Sequence, residues 1–392
     1  MSPHLHPLKK FALRLASPDI LFWVMPFFMI LLVVGTIAQK DIGILTSQQT
    51  YFASYVYTLG FVPLPGGITL ISILFINLLA KFLFKSEWSW KRSGTIITHF
   101  GILILIVGGL LSYVTSKEGY LMVQEGASSA TIEDYHQRVL VVKKGDTRVF
   151  VTPYETLSTQ ASHATVSSPA FPFQITITKA CYNCGITKRP EDDQDGWHRP
   201  GRFMQLVPKD KDPQDEKNMT GIEFIVTGAG KNAAGNEAGN EEEDQNGKYL
   251  TFDKFPKPPH ITVTDPQSGA KVDYTIAIER ATRDLPFSIT LEKFTEDFHP
   301  GTDMARAFQS KIIVTDGATS WPALIQMNQP LRYRGYTLYQ SSFDMSGDKP
   351  YTILTVVENK GRIFPYIATL IIAFGLILHL GLRLGRKQAP HA

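Results

Sequence analysis

A long polar stretch, residues 116–362, lies between apolar segments, and this arrangement restricts the fold more than any other feature of the chain. Three apolar runs precede it, Ile20–Ala38, Gly67–Phe84 and Thr95–Val114, and one follows it, Ile363–Leu382. Each run is long enough to cross roughly 30 Å of hydrocarbon as an α-helix rising about 1.5 Å per residue. The sequence therefore predicts a multi-pass membrane protein with four transmembrane helices.

The predicted organisation has three parts. Residues 1–115 form a membrane region with three transmembrane helices, residues 116–362 form an outer domain, and residues 363–392 form the last helix and a short tail. Basic residues cluster before the first span, between the second and third, and after the fourth, whereas the first connection has only Lys40, beside Asp41. Because cytoplasmic loops are enriched in Lys and Arg, we expect both termini in the cytoplasm and the large domain outside.

The net charge of +3 hides an asymmetry between these parts. Residues 116–362 have 28 basic and 33 acidic side chains, whereas the segments predicted to face the cytoplasm have 10 basic and 2 acidic. The basic excess is therefore explained by the orientation of the chain in the membrane. The sequence predicts a lipid bilayer as a partner and no nucleic acid.

Short segments rich in β-branched residues recur throughout the outer region, and most of them alternate between apolar and polar residues. The predicted strands are Arg138–Lys143, Gln174–Lys179, Gly221–Val226, His260–Thr264, Lys271–Glu279, Phe287–Phe294, Lys311–Thr315, Tyr333–Gln340 and Tyr351–Val357. They predict an antiparallel β-sandwich or barrel-like domain, so the fold class is α+β. Residues 228–247 lack large apolar side chains and are predicted to form a flexible loop.

Two histidines fall inside the apolar runs. His99 lies near the start of the third run and His379 near the end of the fourth, so we expect the two imidazoles at similar depth in the inner leaflet. An ionisable residue within a span is a functional candidate, and imidazole suits haem iron in an apolar site. The alternative for each is a polar group bonded to a neighbouring helix or reaching interfacial water.

The two cysteines, Cys181 and Cys184, form a Cys-x-x-Cys pair in the outer region, where oxidation is favoured. In an extended chain their Cα atoms would be about 10 Å apart, so a disulfide requires a turn, which Asn183 and Gly185 permit. A structural disulfide, a redox-active dithiol and a metal site all remain open. Gly185 stands where covalent haem attachment would require histidine.

Outside these positions the sequence shows no metal-ligand spacing among its outer histidines, no phosphate-binding loop and no serine nucleophile elbow. No catalytic residue is predicted, and no metal other than haem iron.

The last outer segment contains a distinctive block. Phe294-Thr-Glu-Asp-Phe298 and Phe308-Gln-Ser310 precede Met327-Asn-Gln-Pro-Leu-Arg-Tyr-Arg-Gly-Tyr-Thr-Leu-Tyr-Gln-Ser-Ser-Phe343, and His99-Phe-Gly-Ile-Leu opens the third run. This pattern resembles the ResB (CcsB) family of cytochrome c biogenesis proteins at both ends of the chain, whereas residues from about 150 to 285 show no match.

The resemblance implies a subunit of a cytochrome c synthase complex that takes part in haem export and delivery to apocytochrome c. It implies a CcsA-type haem-handling partner, non-covalent and transient haem b, and His99 as an axial haem ligand. The bacterial inner membrane and the thylakoid membrane are both open in principle. With no transit-peptide-like leader visible, we expect the bacterial inner membrane and a periplasmic outer domain.

Two other functions remain open from the sequence. One is a membrane-anchored thiol–disulfide oxidoreductase that uses Cys181 and Cys184. The other is a non-catalytic scaffold for apocytochrome assembly. We expect the two cysteines to be oxidised and dispensable for haem handling. Whether the chain itself forms the thioether bond, as part of a haem lyase, is left undecided.

Overall fold

The computed structural model describes residues 7–159, 164–230, 245–264, 270–299, 301, 305–345 and 347–387. Most of the loop predicted at 228–247, namely residues 231–244, lies outside the described residues. The chain divides into two compact units. One comprises Met1–Glu118, Leu331–Leu338 and Val356–Ala392, and the other comprises Gly119–Pro330 and Tyr339–Thr355.

The first unit is mainly helical. Its helices are α1 (Pro7–Leu15), α2 (Pro18–Ile42), α3 (Ile44–Ser47), α4 (Gly67–Ala80), α5 (Ser93–Thr115) and α7 (Phe364–Lys387). Single helical turns extend α4 to Lys85 and start α5 at Trp90. Four stretches are long and apolar enough to cross a membrane: Pro18–Ile42, Gly67–Lys85, Trp90–Thr115 and Phe364–Leu384. The four predicted apolar helices are therefore confirmed.

Helix α4 contains one amide side chain with a clear structural role. The Asn77 amide nitrogen donates to the carbonyl oxygens of Leu15 and Ser17, at 2.6 and 2.8 Å. The Leu15 carbonyl lies at the C-terminal end of α1, where carbonyls lack partners within the helix, and the Ser17 carbonyl belongs to the N-cap residue of α2. The polar amide of an apolar helix is thus satisfied by two backbone carbonyls at the junction of α1 and α2.

Helices α5 and α7 approach each other along a row of glycines. Gly94, Gly101 and Gly108 are buried and spaced by seven residues, which places them on one face of α5. A Cβ atom on Gly101 would lie 2.7 Å from the Ile372 side chain, and one on Gly108 would lie 2.2 Å from Phe364. Small residues allow this close packing. In lipid, contact between helices gives no hydrophobic gain, so helices associate through van der Waals packing instead.

The remaining elements are mostly β-strands, with one short helix, α6 (Tyr154–Thr159). The strands are β1 (Val56–Leu59), β2 (Val62–Pro65), β3 (Lys117–Gln124), β4 (Ser128–Lys144), β5 (Thr147–Pro153), β6 (Thr165–Ser168), β7 (Phe171–Cys181), β8 (Cys184–Lys188), β9 (Met204–Pro208), β10 (Gly221–Thr227), β11 (Gly247–Phe252), β12 (His260–Thr264), β13 (Lys271–Phe298), β14 (Ala305–Asp316), β15 (Thr319–Gln326), β16 (Leu331–Tyr333), β17 (Tyr336–Asp344) and β18 (Tyr351–Glu358).

The second unit is an antiparallel β-sandwich, as predicted. One sheet contains the run β15-β14-β13-β4-β3, with β12 on β13 and β5 on β4, and the other has the order β11-β10-β7-β6. Alternate residues of both sheets point inward and form one core, in which Leu140 and Ile276 of the first sheet meet Phe173, Ile177 and Phe224 of the second. Burial of these side chains is the main source of stability for this fold.

Two strand predictions were wrong in detail. The segments Lys271–Glu279 and Phe287–Phe294 belong to one long strand, β13, which continues through a bulge between Asp284 and Ile289. The predicted strand Tyr333–Gln340 is instead a hairpin, because Arg334 and Gly335 both have positive φ and turn β16 back onto β17. Two consecutive positive φ angles are typical of the tight turn that joins paired strands.

Candidate functional site

His99 lies in the second turn of α5, within one of the four apolar helices. Its side chain is half-buried, and the Lys81 ammonium is close enough to act on it electrostatically. Among the described residues, no group forms a hydrogen bond with this imidazole. A polar ring held in an apolar helix without a protein partner remains available to a ligand.

Aromatic rings lie on the part of the helical unit next to His99. Phe82, one residue beyond Lys81, stacks on Phe100 with ring centroids 6.0 Å apart, and Trp88 packs edge-on against Phe82 at 5.3 Å. Phe100 and Trp88 keep 46% and 66% of their surface exposed, so this part of the helical unit presents apolar surface. The residues present therefore fit a porphyrin held by one nitrogen ligand from this chain.

His379 is placed differently from His99. Its Nδ1 lies 3.2 Å from the Thr95 hydroxyl, one helical turn before His99. Its backbone is level with Gly94, since a Cβ on Gly94 would lie 2.4 Å from the His379 nitrogen. Five residues of α5 separate that level from His99, or about 7.5 Å along the axis. The two backbones are therefore offset along the helix axis, and the prediction that the two imidazoles lie at similar depth stays a prediction.

Cys181 and Cys184 form a disulfide that closes the turn between β7 and β8, with Cα atoms 5.5 Å apart. Both cysteines are buried, at 5% and 3% exposure, and they pack against Leu206, Leu250 and Phe252. Thiol–disulfide exchange requires a thiolate to reach one of the sulfur atoms. Burial of both therefore favours the structural interpretation over the redox one.

The same turn contributes to a polar network that the sequence analysis missed. The Tyr182 hydroxyl donates to one oxygen of the Asp215 carboxylate. The other oxygen lies 2.8 Å from His136 Nδ1 and 3.2 Å from the Arg138 guanidinium. Asp215 and Arg138 are buried, whereas the His136 side chain is 42% exposed. The partners are 33 to 79 residues apart in sequence, so no local sequence motif indicates that they meet.

This network fixes the charge of the carboxylate. Burial alone would raise the pKa of Asp215, but hydrogen bonds from His136 and Tyr182 and the charges of Arg138 and His136 outweigh burial. Together they hold the pKa of Asp215 well below its usual range. The opposite holds for Tyr182, where burial, followed by the hydrogen bond to Asp215, raises the pKa of the phenol.

The motif residues between Phe294 and Phe343 meet in one place. The Phe343 ring contacts the rings of Phe294 and Phe308, at 5.0 and 5.5 Å. Beside them, the Ser310 hydroxyl donates to the Gln340 amide oxygen at 2.7 Å. The Gln340 amide nitrogen in turn donates to the hydroxyl of buried Thr352 at 2.9 Å. All of these partners belong to the second unit, so these motif residues contribute packing and hydrogen bonds to the fold itself.

The described part of the chain contains no group of three or more His, Cys, Asp or Glu residues that could hold a metal ion.

Comparison with known proteins decides the family. The sequence profile of the ResB-like family matches residues 88–156 and 260–369 of this chain. The chain belongs to the ResB-like family. Protein NrfI of Wolinella succinogenes is similar to it, with 32% identity over 98 residues. That match covers 24% of this chain and 11% of NrfI, so it compares only a small part of the relative. Family membership supports a role in cytochrome c biogenesis.

The ResB-like match also separates two parts of the β-sandwich. His99 and His136 lie within the matched ranges, as do Phe294, Gln340 and Phe343. Residues 157–259, between the matched ranges, supply the whole β11-β10-β7-β6 sheet, the disulfide and Asp215. The unmatched segment therefore builds the second sheet of the sandwich and places a carboxylate against His136.

Proposed function

We propose that this chain is a subunit of a membrane cytochrome c synthase complex, in which it takes part in haem export and delivery to apocytochrome c. The observation that supports this most is His99, an imidazole without a described protein partner in an apolar helix of a ResB-like protein. An imidazole nitrogen with a free lone pair is a strong ligand for haem iron.

In this proposal His99 is the axial haem ligand contributed by the chain, and haem b is bound without a covalent bond. The Phe100 and Phe82 rings beside it offer apolar contact to a porphyrin. One histidine leaves the opposite axial position to another group. A CcsA-type membrane protein is the partner expected to supply it and to share the haem.

The proposed location is the bacterial inner membrane, with both termini cytoplasmic and the β-sandwich periplasmic. The supporting observation is the placement of basic residues around the ends of the four apolar helices. Such an orientation brings the sandwich to the compartment in which apocytochrome c receives haem.

The test is an absorption spectrum of the chain purified with its partner, with His99→Ala compared against His260→Ala. His260 is an exposed histidine of the sandwich that contacts Thr275. We expect His99→Ala to lose or weaken the haem absorption and added imidazole to restore part of it. His260→Ala should keep the wild-type spectrum.

A His99→Ala complex with a wild-type haem spectrum and full cytochrome maturation would overturn the assignment of His99. The outer domain should stay folded in either case, because the substitution lies in the helical unit.

A further inference from the structure

A cavity of about 400 Å³ lies in the β-sandwich. Residues of β3, β4, β5, β11 and β13 line it, together with residues from the segment that follows β11. Every lining residue belongs to the second compact unit, so the cavity is complete without the helices. Pockets that bind small molecules have volumes of roughly 300–1,000 Å³, so this cavity is large enough for a ligand.

Arg280 is a buried cation of this cavity without an anionic partner. The residue is only 6% exposed, and no carboxylate of the described chain forms an ion pair with it. Its Nη1 donates to the backbone carbonyl oxygens of Tyr135 and Asp134, at 2.6 and 3.4 Å, in the bulge of β4 between Glu133 and Arg138. Its Nε is buried and has no hydrogen-bond partner among the described residues. Because a buried charge is costly without an opposite charge, this position favours an anion.

The free edge of the Arg280 guanidinium has the geometry that binds a carboxylate. Nε and Nη2 lie on the same edge of the planar group, and neither forms a hydrogen bond within the described part of the chain. Two parallel N–H groups on one edge can donate to both oxygens of a carboxylate. Nη1 is held by the backbone, and the guanidinium carbon lies 5.5 Å from the centre of the Tyr120 ring. The guanidinium is therefore oriented before a ligand binds.

The carboxylates that line the cavity are engaged by other groups. Their partners are Tyr120 for Glu133, Lys143 and Arg148 for Glu279, and Arg138 for Asp253. The lining has four basic and three acidic side chains in all. Since the acidic groups are occupied and the basic groups are in excess, the cavity favours an anion over a cation.

Apolar groups supply much of the remaining lining. The Phe252 and Phe255 rings lie with their centroids 4.4 Å apart, and Pro258 also lines the cavity. Between the two rings in sequence, Lys254 is exposed and has a φ of 61°, which is uncommon for a residue other than glycine. Strained residues of this kind are often found where ligands bind. The lining thus suits a ligand that has an apolar body as well as a negative charge.

We infer that this cavity binds a small organic carboxylate with an apolar or aromatic body. Arg280 holds the carboxylate through Nε and Nη2, the Phe252 and Phe255 rings contact the apolar body, and Lys254 adds a second positive charge. The inference goes beyond the proposed function, because no residue of the helical unit takes part.

The first part of the test compares ligands on the full wild-type chain, purified in detergent and studied by isothermal titration calorimetry. Phenylacetate is the probe, phenylacetamide is its uncharged counterpart, and inorganic phosphate is an anion without an apolar body. We expect saturable binding of phenylacetate, with phenylacetamide and phosphate each bound at least about 10-fold more weakly, because each lacks one of the two features recognised.

The second part locates the site with two pairs of variants. Arg280→Gln should weaken phenylacetate binding by about 10-fold or more, whereas Arg306→Gln, at an exposed arginine of β14, should leave it unchanged. Lys254→Asn removes an exposed charge at a position where asparagine tolerates the backbone, so binding should weaken about 2- to 5-fold. Lys257→Asn is its control, because Lys257 is exposed and does not line the cavity.

Three results would overturn the inference. They are the absence of saturable phenylacetate binding at millimolar concentrations, equal binding of phenylacetate and phenylacetamide, and phosphate bound more tightly than phenylacetate. Equal affinities for Arg280→Gln and Arg306→Gln would show that the carboxylate binds elsewhere. If Arg280→Gln does not fold, Lys254→Asn against Lys257→Asn decides the location, and equal affinities in that pair would reject this cavity. The haem spectrum of the partner complex is a separate measurement, so failure here leaves the proposed function standing.

Discussion

Gly94 of α5 packs directly against the backbone of His379 of α7, so closely that a Cβ atom on Gly94 would lie 2.4 Å from the His379 nitrogen. Backbone atoms cannot rotate away as a side chain can. The pair therefore fixes the distance between two helices, one of which contains the predicted haem ligand His99.

The first prediction concerns this contact. Gly94→Ala should destabilise the helical unit by about 1–3 kcal/mol, because an extra methyl group must push α7 away. Gly109→Ala is the matched control, since no atom lies within 4 Å of its added Cβ, and it should be neutral or slightly stabilising. Thermal denaturation in detergent measures both. Equal melting temperatures would show that the close approach at Gly94 does not hold the helices together.

A second prediction separates the two histidines of the helical unit. His379 Nδ1 is engaged by the Thr95 hydroxyl at 3.2 Å, whereas His99 has no partner among the described residues. We expect His379→Ala to keep the haem spectrum of the partner complex and to lower stability by about 1 kcal/mol, the typical value of a neutral hydrogen bond. Loss of the spectrum in His379→Ala, but not in Thr95→Val, would instead identify His379 as a ligand.

The parts of this structure that depend on residues close together in the sequence were predictable from it. Hydropathy over a window of about 20 residues defines the four helices, and alternation defines most strands. His99 stood out because a titratable side chain interrupts an apolar run. The row Gly94, Gly101 and Gly108 was equally visible as a seven-residue spacing, but its importance becomes clear only when α7 is seen against it.

Contacts between distant residues were not predictable. His136 and Asp215 are 79 residues apart, and no spacing rule connects a strand bulge to a polar loop. The turn at Arg334 and Gly335 was interpreted as part of one continuous strand. A glycine among alternating residues is compatible with both, and only the pairing of Tyr333 with Tyr336 distinguishes them.

A third prediction concerns membrane orientation. Because the native cysteines form a buried disulfide, a cysteine introduced elsewhere can be labelled selectively. In intact cells a membrane-impermeant maleimide should label Phe61→Cys, in the first connection, and Thr319→Cys, in the sandwich. Lys91→Cys, in the second connection, should react only after the membrane is opened. Labelling of Lys91→Cys in intact cells, with Thr319→Cys protected, would reverse the proposed orientation.

A fourth prediction concerns the disulfide. The double substitution Cys181→Ser and Cys184→Ser should lower the free energy of unfolding of the sandwich by roughly 2 kcal/mol, the chain-entropy value for so short a loop. Cytochrome maturation should persist while the protein level holds, because the buried sulfur atoms are not placed for thiol exchange. Maturation lost at a normal protein level would favour the oxidoreductase alternative.

The last prediction uses the charge of Asp215. A carboxylate whose pKa is lowered by folding stabilises the fold above its unfolded pKa of about 3.9, and this stabilisation is lost as pH falls through the folded pKa. His136, Tyr182 and Arg138 are the groups that lower the pKa of Asp215. Tyr182→Phe removes one hydrogen bond to the charged carboxylate, which is typically worth about 1.5–3 kcal/mol.

We therefore expect Tyr182→Phe to be less stable than the wild type at pH 7, with a difference that persists through about pH 4 and shrinks only at lower pH, where the folded protein protonates Asp215. Tyr339→Phe, at an exposed tyrosine of β17, is the control and should match the wild type at every pH. Chemical denaturation between about pH 1.5 and pH 7, followed by circular dichroism, measures the difference. A Tyr182→Phe deficit that is the same at all pH values would show that the phenol supports packing and not the charge of Asp215.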